Sequence, residues 1–86
     1  MKGTTKSGFQ FEISEDVKDD YELLEDYAEL ATNQLVVTRL LTHLLGKEQK
    51  AALMEHCRTE SGRVSTEQMM TEVFEITESL NDLKKS

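Results

Sequence analysis

The chain changes its hydrophobic period once. Near its start Phe9, Phe11 and Ile13 alternate with Gln10 and Glu12, the two-residue period of a strand with one buried face. Ser7-Gly8, just ahead, supplies the positive φ of a tight turn. Residues 2–13 are therefore predicted to form a β-hairpin, with residues 2–6 as its other arm. A lone two-stranded hairpin is marginal in water, so its three apolar side chains are expected to lie on the rest of the fold. Otherwise its open edge is available to a strand from another chain.

Beyond the hairpin the period lengthens to that of helices. Over 16–31, Val17, Tyr21, Leu24, Ala28 and Ala31, flanked by Leu23, Tyr27 and Leu30, fill about half of a helical wheel. Glu15, Asp19, Glu22, Asp26 and Glu29 fall on the other side and read as a solvated face. Asp20 lies inside the apolar arc, so the first regular turn is expected as late as Asp19. Asn33 is a cap for a second helix over 34–45, whose seven apolar residues leave only a narrow polar strip, marking it as the most buried element. Gly46 ends it. A third helix over 47–58 has only Ala51, Leu53, Met54 and Cys57 as apolar content and is expected at the periphery. After a polar turn around Gly62, Ser65 and Gln68 form a capping box. Met69, Val73, Ile76, Leu80 and Leu83 then run along a last helix over 65–83, with Met70 and Phe74 as a second apolar row. The fold class is mainly α: a small four-helix bundle-like domain with an N-terminal β-hairpin, in a single domain over 1–86.

The totals refine this picture. At 86 residues a chain buries only roughly 60–65% of the surface its unfolded form exposes, which leaves a thin core and makes self-association a natural remedy. Ten basic against seventeen acidic side chains give a net charge of −7, which opposes binding to nucleic acid. The charge is uneven. From Glu12 to Glu29 nine carboxylates face only Lys18, a local net of −8, so the rest of the chain carries +1. Cys57 is alone and no apolar run has the length of a signal peptide or membrane span, so no disulfide and no membrane partner are expected.

Candidate chemistry is sparse. His56 and Cys57 are adjacent and point about 100° apart on a helix, so they do not meet as base and nucleophile. His43 lies on another helix, and two histidines with one cysteine make no zinc signature. The acidic row lacks the convergence of a hydrolytic pair. Ser65 has no nucleophile context, and Gly62 stands without the glycines and lysine of a phosphate loop. No catalytic, metal or cofactor residue is assigned.

The segments Ser7-Gly8-Phe9, Asp20 to Leu24, and the run from Leu44-Leu45-Gly46 through Gln49, His56 and Arg58 to Gly62-Arg63-Val64 resemble those of small tail assembly chaperones of siphophages and prophages of Gram-positive bacteria. The resemblance covers nearly the whole chain. It implies a non-catalytic helical protein that binds the tape measure protein in the host cytoplasm, helps recruit tail tube subunits, and is absent from the mature virion. Related chaperones are made in two lengths by ribosomal frameshifting. Lys84-Lys85 is compatible with an A-rich slippery run, and two lysines are common at an exposed helix end.

For such a protein the apolar surplus of the hairpin and last helix is expected to bind a client or a second copy, with the acidic helix keeping the complex soluble. The residues singled out for partner binding are Phe9, Phe11, Arg63, Met70 and Phe74. Two other readings compete: an acidic inhibitor whose row Asp19, Glu22, Asp26 and Glu29 imitates the phosphates of DNA, and a head-tail component of the virion.

Overall fold

A computed structural model describes residues 1–85, with side chains placed through Leu80. Strands β1 (Lys2–Thr4) and β2 (Gln10–Glu12) pair antiparallel, with Gly3 opposite Phe11. A 3₁₀ turn (Glu15–Asp19) leads into α1 (Tyr21–Leu30), and a second 3₁₀ turn (Gln34–Val36) into α2 (Val37–His56); a loop then joins α2 to α3 (Thr66–Lys85). The fold is mainly α with an N-terminal hairpin, and its four expected helical segments form three helices, the second of them broken by a kink.

The hairpin closes as its sequence dictates. Thr5 and Phe9 flank the three-residue loop Lys6-Ser7-Gly8: the Gly8 N–H donates to the Thr5 carbonyl (2.9 Å) and the Thr5 N–H to the Phe9 carbonyl (2.9 Å). Gly8 has φ 95°, a conformation that favours glycine and that a bulged three-residue loop requires. Alternation then turns Phe9, Phe11 and Ile13 inward, where all three are buried. Opposite Phe11, a Cβ on Gly3 would lie 2.5 Å from the Phe11 ring, so the ring sits where only a glycine leaves room.

Helix starts are capped by short polar side chains. The Leu23 N–H donates to the Asp20 carboxylate (3.1 Å), so α1 begins only after Asp20. The Leu35 N–H donates to the Asn33 side chain (3.1 Å), and here the capped turn is 3₁₀. At α3 the Gln68 N–H donates to Ser65 Oγ (3.1 Å). The capping box is half-formed, because the Ser65 N–H is taken by the Cys57 carbonyl (3.0 Å) and the Gln68 amide turns to Glu72 (3.4 Å).

α2 is the central element. Leu40, Leu41, Leu44, Leu45, Leu53 and Cys57 are buried against the hairpin, Leu23 of α1, and Val73, Ile76 and Leu80 of α3. Leu53 and Cys57 thus draw the segment after the kink into the core more than its weak amphipathicity indicates. Of the last helix's apolar stripe, the Leu83 side chain lies outside the described residues. The kink falls at Gly46 (φ 82°, ψ 165°), the residue expected to end a helix.

Gln49 repairs the kink and covers a strand edge at once. Its side-chain amide donates to the Leu45 carbonyl (2.8 Å) and to the Glu12 carbonyl (2.7 Å), while its oxygen accepts from the Glu12 N–H (2.7 Å). One side chain thereby stands in for a neighbouring strand on the outer edge of β2, which otherwise presents unpaired backbone groups. Gln49→Ala is expected to lower the unfolding free energy by about 1–2 kcal/mol, read from urea denaturation. An unchanged midpoint would show that water serves this edge equally well.

Candidate functional site

α1 is oriented by a buried charge. Asp26 is only 2% exposed, and its carboxylate accepts from Arg39 Nε (2.6 Å) and bonds His43 Nδ1 (2.5 Å), both on α2. Arg39 also donates to Glu29 (2.6 Å). This corrects the reading of the acidic row as a solvated face at one position: Asp26 points inward, while Glu15, Asp19, Glu22 and Glu29 stay exposed, Glu29 paired with Arg39. Two of the four carboxylates that would imitate phosphates are thereby paired with Arg39, which leaves Asp19 and Glu22 as the unpaired part of that row.

The consequence appears on the opposite flank of α1. Directing Asp26 at α2 turns the helix by roughly a quarter turn from where its apolar arc alone would place it. Leu23 stays buried, but Tyr21, Leu24 and Tyr27 are left 70%, 56% and 44% exposed. Of these, Tyr27 shares a depression with α3 residues Phe74, 58% exposed, and the half-buried Met70, while Tyr21 and Leu24 share one with Leu80. One depression of about 210 Å³ is lined by Val17, Tyr21, Leu23, Leu24, Tyr27 and Leu80, with Lys18, Asp19 and Asp20 at its margin. A second, of about 330 Å³, is lined by Tyr27, Leu30, Ala31, Met70 and Phe74. Tyr27 lines both, and Gln34 and Thr77 complete the second, so apolar depressions lie on either side of the Tyr27 ring along α1 and α3. Exposed apolar surface of this kind marks interaction sites.

The five residues singled out from the sequence divide. Met70 and Phe74 line the second depression. Phe9 and Phe11 are core residues, 7% and 4% exposed, because the hairpin lays its apolar face on the helices; they offer a partner no surface. Arg63 is exposed in the loop between α2 and α3, where its carbonyl accepts from the Thr59 N–H (2.7 Å). Sequence reasoning grouped Tyr21, Leu24 and Tyr27 with the buried arc. The available signal was Arg39 and His43, one turn apart on a helix whose polar strip is otherwise narrow, spaced to grip a single carboxylate.

The second polar cluster lies under the hairpin turn. Glu72 of α3 is fully buried and accepts from Thr5 Oγ1 and Ser7 Oγ (both 2.7 Å). Ser7 Oγ also bonds His56 Nε2 (2.9 Å), and the His56 ring tilts against Phe9 with centroids 5.5 Å apart. The Ser7 proton goes to the carboxylate, so His56 Nε2 is the donor to the serine oxygen. Protons thus run from imidazole to hydroxyl to carboxylate, opposite to a base drawing a proton from a nucleophile, and the cluster fastens the turn to α2 and α3. The three side chains His43, His56 and Cys57 do not converge. His43 meets Asp26, His56 meets Ser7, and Cys57 is buried, with burial first and the Glu72 charge second holding its thiol above 9.0. Among the described residues no cluster of three metal-ligating side chains occurs, and no helix is long and apolar enough to cross a membrane.

Burial pushes the Asp26 carboxyl up, but the hydrogen bonds and charges of Arg39 and His43 outweigh it and hold the group below its ordinary 3.8. A carboxyl lowered in the folded state stabilises that state fully above its unfolded value, and the contribution vanishes as pH falls through the folded one. The stability difference between the parent chain and Asp26→Asn is therefore expected to narrow steadily on acidification below about pH 4, measured by chemical denaturation across pH. A pH-independent difference would contradict the clamp. Compared with profiles of known protein families, characterised proteins and solved structures, the chain matches none.

Proposed function

We propose that the protein is a non-catalytic tail assembly chaperone, of the phage and prophage kind its sequence resembles, which covers apolar segments of the tape measure protein in the host cytoplasm and helps bring tail tube subunits to it. The observation that carries this reading is the exposed apolar surface along α1 and α3. Soluble chains seldom leave two tyrosines, a leucine and a phenylalanine standing together in solvent, and a surface of that composition is suited to covering another polypeptide. A long client with repeated amphipathic segments needs such cover before assembly.

The acidic segment complements this role. The local net charge of −8 from Glu12 to Glu29 keeps a complex with an apolar client soluble and disfavours nonspecific capture of nucleic acid. Tagged protein expressed with the phage morphogenesis proteins is expected to retain the tape measure protein, with tube protein in the same complex, while purified virions lack it by mass spectrometry. Failure to retain either protein, or its presence in finished particles, would contradict the chaperone reading.

A further inference from the structure

We draw no further inference here: the strongest candidate, the exposed apolar surface along α1 and α3 around Tyr27 and Phe74, belongs to the reading already proposed, and nothing in the structure shows what covers it.

Discussion

One buried carboxylate sets the posture of α1. Asp26 is gripped by Arg39 and His43 from a single face of α2, and the helix that carries it has little other reason to lie as it does. Its inward apolar anchor is Leu23, with Leu30 at the edge, whereas its two tyrosines and Leu24 face out. Hydrophobic area alone would roll the helix to bury those three. A carboxylate already held between a guanidinium and an imidazole cannot be returned to the surface without breaking both bonds, the one to Arg39 being charge-assisted and stronger than a neutral hydrogen bond, and leaving Arg39 and His43 without their acceptor. Polar satisfaction thus overrides apolar burial on this helix.

The rest of the molecule supplies the rigid floor that this arrangement needs. A chain this short has little core to spare, and much of what it has is gathered by the hairpin, whose Phe9, Phe11 and Ile13 reach under the helices. The hairpin is itself tied down at both ends. Gln49 covers the outer edge of β2 at the α2 kink, and Glu72 holds the turn through Thr5 and Ser7. Among the described residues no buried side-chain nitrogen or oxygen lacks a partner. With these polar groups satisfied internally, the unsatisfied feature of the fold is the exposed apolar surface along α1 and α3, the surface on which the proposed function rests.

Much of the architecture was legible because it follows local rules. Alternation at Phe9, Phe11 and Ile13, the glycines at positions 8 and 46, the caps Asn33 and Ser65, and the leucines of α2 each act through the backbone or through plain burial, so periodicity finds them. The orientation of α1 was not legible, because amphipathicity ranks positions by hydrophobic area and has no term for a carboxylate with two partners thirteen and seventeen residues away. Glu72 shows the same gap: it sits between Met69 and Ile76 inside the apolar stripe of α3, where an interrupting charge announces a buried network that the stripe alone does not describe. Phe9 and Phe11 were misplaced for the opposite reason. Alternation places them on the inward face, and the small core takes both, leaving nothing of them for a partner.

Solution NMR with a soluble paramagnetic probe tests the orientation of α1 most directly. Strong broadening of the Tyr21 and Tyr27 ring protons and the Leu24 methyls is expected, with the Leu23 methyls protected and close contacts between Asp26 and His43. Protected Tyr21 and Leu24 with a solvent-exposed Asp26 would contradict the account, because α1 would then present its acids outward and no apolar surface of this kind would exist.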